Sequence, residues 1–268
     1  MTETPAIELR HVSLSFDEEP VIFDVSFQVE TGGTLVLLGV TGSGKSVLLK
    51  LILGLLRPDS GQVLVEGQDL TPLSENQLHP LRRRMGIVFQ EGALFDSLSV
   101  YENVAYRLRE EGFSEEAGLE RRVRQVLSFV EMEQAMEKMP AELSGGMRRR
   151  VSIARAIVSE PSIMLYDSPT AGLDPVTAHT INVLIAKLHD VQHVTSLVVT
   201  HRLQDAYVLA NFVFSAEKQA LVPHPTDGQG RSALGPRFLV LRDGRVHFLG
   251  SKEEFLHSQD SYLRKFLV

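Results

Sequence analysis

The chain has 268 residues, of which 43% are hydrophobic, and a formal net charge of −7. This hydrophobic content is enough for a full interior, and the length lies near the upper limit for one core. The chain contains no cysteine, which excludes a disulfide framework and thiolate metal sites. The negative charge argues against a general nucleic-acid binder. Residues 1–8 have neither a basic region nor an apolar stretch, so the sequence predicts no secretory signal.

The first strong local pattern lies between a predicted strand and a predicted helix. Thr34–Leu38 is a continuous apolar run, typical of a buried parallel strand, and Lys45–Leu55 has a helical pattern. The residues between them match G-x-x-x-x-G-K-[ST], in which backbone N–H groups and the lysine bind phosphates and the final hydroxyl binds Mg²⁺. We therefore predict a nucleoside triphosphate and Mg²⁺ at Gly39, Thr41, Gly42, Ser43, Gly44, Lys45 and Ser46.

Residues 91–160 have a helical character. Ser99 and Glu102 form a capping box that predicts a helix running to Leu108. A second helix is indicated by apolar residues at helical spacing, and a third, Arg148–Ser159, follows a Leu-Ser-Gly-Gly segment. The apolar face of the second helix contains Leu119, Val123, Val126, Leu127 and Val130. The arginine clusters Arg82–Arg84 and Arg148–Arg150 are interpreted as solvated helix faces.

From residue 161 onward strands and helices alternate again, which predicts a mainly parallel sheet with flanking helices. Ile163–Asp167 is an apolar strand that ends in an acid, and Leu197–Thr200 is a strand followed by His201. Asp174 is a candidate helix N-cap because Pro175 follows it. Residues 217–237 have no periodicity and are interpreted as an inserted surface loop. Beyond them, Asp243 and Gly244 predict a hairpin turn.

Five motifs occur in one order: Gln90 after a strand, Leu143-Ser144-Gly145-Gly146, Asp167, Asp174 and His201. In this order the chain resembles the ATP-binding cassette (ABC) ATPases. The resemblance implies an α/β nucleotide-binding domain with a mainly parallel sheet core, N-terminal antiparallel strands and a helical subdomain. The whole chain, 1–268, is then one ABC domain, with core residues 1–90 and 161–268 and helical subdomain residues 91–160.

The resemblance also implies a role for each motif residue. ATP is the nucleotide, Phe16 stacks on its adenine, and His201 contacts its terminal phosphate. The alternative for Phe16 is a core phenylalanine at a strand end. Mg²⁺ is held by Ser46, Gln90 and Asp167. Because ABC domains bind ATP between two copies, a head-to-tail homodimer is expected. Its nucleotide is capped by Ser144, Gly145 and Gly146 of the opposite copy, with Asp174 at the seam.

One position departs from the family pattern. The family usually carries a glutamate after the Asp167 position, as the general base or the group that orients the attacking water, and this chain has Ser168. A serine hydroxyl cannot accept a proton near neutral pH, and loss of a positioned base typically costs about 10²–10⁴-fold in rate. Three explanations stay open: a slow ATPase that relies on His201, Gln90 and the electrostatics of the phosphate loop, an ATP-dependent clamp with little hydrolysis, or an engineered substitution.

Within the ABC ATPases, the chain resembles the Mla-type ATPases of bacterial phospholipid transporters. The resemblance rests on Gly92-Ala93-Leu94-Phe95, on residues 103–110 and on the tail 258–267. It implies an inner-membrane permease, a lipid-binding MCE protein, and a peripheral location on the cytoplasmic face of the bacterial inner membrane. The alternatives are the ATPase of another importer and a soluble ABC protein acting on ribosomes or DNA. The second is disfavoured because the chain has one cassette and a net negative charge.

Overall fold

The computed structural model describes residues 4–224, 235–264 and 266. Twelve strands and nine helices lie within these ranges, with two short 3₁₀ turns between α4 and α5. In chain order the elements are β1 Ile7–Phe16, β2 Glu19–Val29, β3 Thr34–Gly39, α1 Lys45–Ile52, β4 Ser60–Val65, β5 Gln68–Asp69, α2 Glu75–Arg82, β6 Met85–Val88, α3 Val100–Glu110, α4 Glu116–Phe129, α5 Gly145–Ile157, β7 Ile163–Asp167, α6 Pro175–Gln192, β8 Thr195–Thr200, α7 Leu203–Asn211, β9 Phe212–Ser215, β10 Ala220–Pro223, β11 Arg237–Arg242, β12 Arg245–Ser251, α8 Lys252–Leu256 and α9 Ser261–Arg264.

The main sheet, called the core sheet below, has six strands in the order β12-β11-β3-β8-β7-β6. Its strands from β11 to β6 are parallel, and only β12 is antiparallel to its neighbour. A second, antiparallel sheet has the order β2-β1-β4-β5. The mainly parallel core and the N-terminal antiparallel strands are therefore confirmed.

Both faces of the core sheet are covered, which explains its continuous apolar strands. Successive side chains of a strand point to opposite faces. Leu35 and Leu37 join a cluster with α1, α2 and the antiparallel sheet, while Val36 and Leu38 join a cluster with α3 to α7. The second cluster also contains the predicted apolar face of α4, which is buried as expected.

The helix starts follow the predicted caps. The Ser99 hydroxyl accepts from the backbone N–H of Glu102, and the Glu102 carboxylate accepts from the backbone N–H of Ser99. The backbone N–H and the hydroxyl of Ser99 both donate to the Glu102 carboxylate, and these two hydrogen bonds lower the pKa of Glu102. Helix α5 begins at Gly145, three residues before the predicted start, because the Ser144 hydroxyl caps it by accepting from Met147 N. Residues 91–99 lie in turns and irregular structure, so the helical region begins at Val100.

The prediction that residues 217–237 form a surface loop without regular structure is partly wrong. Residues 220–223 form β10, which pairs antiparallel with β9. Phe214 of β9 is buried, and its backbone N–H donates to the Asp190 carboxylate of α6, so the hairpin is attached to that helix. The prediction for residues 225–234 lies outside the described residues, as does part of the tail 258–267. The Asp243–Gly244 turn is confirmed between β11 and β12.

None of the helices in the described ranges is both long and apolar enough to cross a membrane.

Candidate nucleotide-binding site

Four neighbouring strands of the core sheet, β3, β8, β7 and β6, end at the same edge. The phosphate-loop residues follow β3, His201 follows β8, Asp167 ends β7, and Gln90 lies two residues beyond β6. In open α/β sheets, ligands bind beyond the carboxyl ends of parallel strands. The topology therefore brings four separately predicted motifs to one edge, although they are spread over more than 150 residues of chain.

The phosphate loop wraps around the Lys45 side chain. The Lys45 ammonium is buried and donates to the carbonyl oxygens of Gly39 at 2.8 Å and Val40 at 2.7 Å. Burial lowers its pKa, and the nearby charge of Asp167 partly opposes that effect. Gly44 has φ 100°, and a Cβ at this position would lie 2.6 Å from Ile22 Cδ1, so only glycine fits here.

The first turn of α1 is suited to an anion. Among the described residues no side chain caps this helix, and its first turn contains no acidic group. The free N–H groups and the helix dipole favour phosphate at this end. Ser46 is the exposed residue of this turn, and Asp167 is close enough to affect Lys45 electrostatically. A hydroxyl and a carboxylate are oxygen ligands that suit Mg²⁺, which would neutralise phosphate charge when bound.

Ser168 is held in an unusual backbone conformation after β7. Its φ is 47°, and the residue is 7% exposed. Its backbone N–H donates to Val199 O at 2.9 Å, and its hydroxyl lies 3.5 Å from Asp167 Oδ1. The short side chain sits beside the predicted Mg²⁺ carboxylate and can offer a hydrogen bond but no basic group.

Two arginines of α5 hold the segment that contains Gln90. Arg149 donates to the carbonyl of Phe89 at 3.0 Å, and Arg155 donates to those of Gly92 at 3.0 Å and Ala93 at 2.8 Å. Gln90 itself is exposed between these anchors. The backbone around the predicted Mg²⁺ ligand is therefore positioned by the helical region, an arrangement that sequence spacing did not reveal.

The prediction of a solvated face for Arg148–Arg150 is wrong for Arg149. Its side chain is buried, and burial lowers its pKa. It also donates to Ala171 O at 3.3 Å, in the segment after Ser168. Three consecutive arginines look alike in the sequence, which does not indicate that the middle one is the buried residue of the three.

The Leu143–Gly146 segment leads into α5 and packs beside the start of α6. Gly145 lies against Leu173, which precedes α6, and Gly146 lies against Thr177 in its first turn. Asp174 caps that helix by accepting from the N–H groups of Val176 and Thr177, each at 3.0 Å. The predicted N-cap is confirmed. A hydrogen bond from the Thr177 side chain, together with these two backbone hydrogen bonds, lowers the pKa of Asp174.

Phe16 is the last residue of β1, before the Asp17–Glu18 turn into β2. It is 44% exposed, so the interpretation as a core phenylalanine is wrong. Its exposed ring is free of the apolar clusters on either face of the core sheet. The role of Phe16 as an adenine platform stays a prediction.

This fold and strand-edge site define a phosphate-loop nucleotide-binding protein. The family model described as "ABC transporter" matches residues 22–171. The chain is 35% identical over 261 residues to the intermembrane phospholipid transport system ATP-binding protein MlaF of Haemophilus influenzae, covering 97% of this chain and 89% of that protein. It is 40% identical to the probable ribonucleotide transport ATP-binding protein mkl of Mycobacterium leprae, covering 75% of this chain and 58% of that one.

A solved dimeric structure of the ATP-binding cassette MJ0796, in a post-hydrolysis state with ADP and Pi, is similar with a TM-score of 0.76. It shares 29% identity, covering 91% of this chain and 98% of that chain. The chain belongs to the ABC transporter family and is an ABC-type ATPase, the ATP-binding subunit of a transporter.

Proposed function

We propose that the chain binds Mg-ATP at the strand edge and hydrolyses it to drive a bacterial phospholipid transporter. The observation that carries the nucleotide site is the meeting of the phosphate loop, Asp167, Gln90 and His201 at the ends of four adjacent strands. In this proposal Lys45 binds the terminal phosphates, and Mg²⁺ is held by Ser46, Asp167 and Gln90. Phosphoryl transfer depends mostly on positioning and charge stabilisation, which these groups supply.

The second half of each site comes from another copy of the chain. Ser144, Gly145 and Gly146 lie at the start of α5, where the two glycines pack against Leu173 and Thr177 beside the start of α6. A head-to-tail homodimer brings them to the nucleotide of the partner, with Asp174 at the seam. The dimeric state of the similar MJ0796 cassette supports this arrangement.

Phospholipid as the cargo is supported by the similarity to MlaF of Haemophilus influenzae over 97% of the chain. We propose an inner-membrane permease and a lipid-binding MCE protein as partners, with the chain peripheral on the cytoplasmic face. The alternative is that the chain serves an importer with another cargo. The chain is also similar to mkl, which is named as a probable ribonucleotide transport ATP-binding protein.

The permease docks, in this proposal, beside Gln90 to Leu108. Exposed apolar surface marks interaction sites, and the rings of Phe95 and Tyr106 are both more than one-third exposed and in contact, with their centroids 4.7 Å apart. The backbone at Phe95 is fixed by Asn103, which is fully buried, accepts from the N–H of Phe95 and donates to the carbonyls of Phe95 and Leu98. Phe89 and Phe113, on either side of this range, are also more than one-third exposed.

Ser168 favours a second candidate, an ATP-dependent clamp that dimerises with little turnover. The discriminating experiment measures steady-state ATP turnover with the membrane partners for the unmodified chain, Lys45→Ala and Ser168→Glu. Turnover that Lys45→Ala abolishes supports the transporter ATPase and shows that Ser168 is tolerated. Turnover that appears only in Ser168→Glu supports the clamp and overturns hydrolysis-driven transport by this sequence.

The cargo is tested separately by reconstituting the complex in vesicles that contain a fluorescent phospholipid. ATP-dependent movement of the lipid, absent in Lys45→Ala, supports the assignment. ATP turnover without lipid movement favours another cargo.

A further inference from the structure

A buried carboxylate on α7 lies between the loop that carries Ser168 and the loop that carries His201. Asp205 is 1% exposed, and its two oxygens accept from three side chains. Its Oδ2 accepts from the hydroxyls of Thr170, two residues after Ser168, and Thr200, immediately before His201. Its Oδ1 accepts from the amide of Asn182 on α6 at 2.9 Å. One carboxylate oxygen therefore joins the ends of β7 and β8.

Arg202 reinforces the same connection from the other side of His201. Its backbone N–H donates to the Thr200 hydroxyl at 3.0 Å. Its guanidinium donates to the carbonyl oxygens of Thr170 at 3.1 Å and Leu173 at 3.4 Å. Both neighbours of His201 are thus connected to the segment between Ser168 and Asp174: Thr200 through Asp205, and Arg202 directly.

We propose that Asp205 is a positioning residue for ATP hydrolysis. It fixes the position of His201 relative to the segment from Ser168 to Asp174. The proposal rests on the hydrolytic function proposed above. With a serine at position 168, activation of water depends on groups from several loops, so their relative positions decide the rate. A displacement of about 1 Å in such a site can cost on the order of a hundredfold.

The hydrogen bonds indicate that geometry, more than charge, is what Asp205 supplies. The Asn182 Oδ1 atom is buried and has no hydrogen-bond partner within the described part of the chain. In Asp205→Asn, the new amide oxygen can accept from both threonines. Its NH₂ group can donate to Asn182 Oδ1 once the Asn182 amide has rotated to exchange its oxygen and nitrogen. Asp205→Ala removes all three bonds. Asn182→Ala removes only the connection to α6 and leaves both threonine bonds in place.

The test compares ATP turnover by the full chain, in complex with its membrane partners, for these three variants. We expect Asp205→Ala to lower kcat by about tenfold or more, with the KM for ATP changed by less than about threefold. Asp205→Asn and Asn182→Ala keep kcat within about threefold. Asn182→Ala nevertheless lowers thermal stability, because it leaves Asp205 Oδ1 buried without its hydrogen-bond donor. Thr200→Val, which removes one hydroxyl at nearly constant volume, replaces Asp205→Ala if that variant does not fold.

Hydrogen exchange of the isolated chain provides a readout independent of activity. In Asp205→Ala, peptides spanning 168–173 and 199–203 should both exchange faster, whereas Asn182→Ala should leave them unchanged. The proposal is overturned if Asp205→Ala keeps its kcat, if Asp205→Asn loses as much as Asp205→Ala, or if only α7 exchanges faster. If the unmodified chain binds ATP without turnover, the hydrolytic function fails on its own, and the exchange data still decide whether Asp205 joins the two loops.

Discussion

Gly146 on the first turn of α5 faces Thr177 on the first turn of α6, and a methyl group on Gly146 would lie 2.3 Å from Thr177 Cγ2. This contact joins the Leu143–Gly146 segment to the helix that Asp174 caps. The two regions proposed to meet the partner copy are therefore packed against each other within one chain.

Gly146→Ala should destabilise the protein, because the added carbon would lie too close to the Thr177 methyl group and the Thr177 side chain or the helix start must shift. Overpacking of this kind typically costs about 1–3 kcal/mol. Gly145→Ala is the matched control: its Cβ would lie 3.4 Å from Leu173 Cδ2, and alanine favours a helix over glycine by about 0.5–1 kcal/mol. Urea unfolding should place Gly146→Ala below the unmodified chain and Gly145→Ala at or above it. Equal losses in both variants would contradict the packing argument.

Phe16→Ala should raise the KM for ATP, since stacking of a base on an aromatic ring is worth about 1–3 kcal/mol by alanine substitution. That range corresponds to an increase of about five- to 150-fold, and Phe16→Tyr should keep KM nearly unchanged. Phe23→Ala provides the control, because Phe23 is equally exposed but lies under the Arg245 guanidinium. A similar rise in KM for both alanine variants would remove the adenine role from Phe16.

Arg155→Lys should loosen the segment after β6. The guanidinium of Arg155 bonds two successive carbonyls, at Gly92 and Ala93, and a lysine ammonium lacks this planar fork. We expect faster hydrogen exchange in residues 90–98 and weaker binding to the permease in a pull-down titration. Arg124→Lys, on an exposed face of α4, should change neither quantity.

Asp260→Asn should weaken the docking of α9 in a pH-dependent way. Backbone N–H groups of Leu263 and Tyr262 and a hydrogen bond from His247 lower the pKa of Asp260 from 3.8 to about 2. A lowered carboxyl pKa contributes stability that is complete above the unfolded value and is lost as pH falls towards the folded one. The stability difference between the unmodified chain and Asp260→Asn should be constant at neutral pH and shrink below about pH 4. A difference that grows on acidification would contradict this assignment.

Local sequence patterns were sufficient for several elements around the nucleotide site. The strand before the phosphate loop, the Ser99 capping box and the Asp174 cap each depend on residues within a few positions of one another, and the structure contains all three. The Ile163–Asp167 strand has its predicted bounds, because an apolar run that ends in an acid marks where a buried strand leaves the core.

Long-range polar contacts could not be predicted in the same way. Arg149 is hydrogen-bonded to residues 22 and 60 positions away in the sequence, and Asp205 to residues 5 and 35 positions away. Nothing in the local spacing distinguishes these two buried residues from surface charges. Hairpin β9–β10 was missed because β10 has only four residues and pairs with β9, whose Phe214 bonds to Asp190 of α6. The sequence predicted the four motifs that the fold brings to one edge of the core sheet, whereas the hydrogen bonds that support them required the fold.

The phosphate-loop strand β3 lies between β8 and β11 in the core sheet, and Leu241 of β11 pairs with Gly39. A strand made early in synthesis therefore receives one of its two neighbours only after about two hundred further residues have left the ribosome. Contacts of such long sequence separation form slowly. Newly made chains should therefore acquire the ability to hold nucleotide late, and during translation the apolar edge of β3 stays open to chaperones.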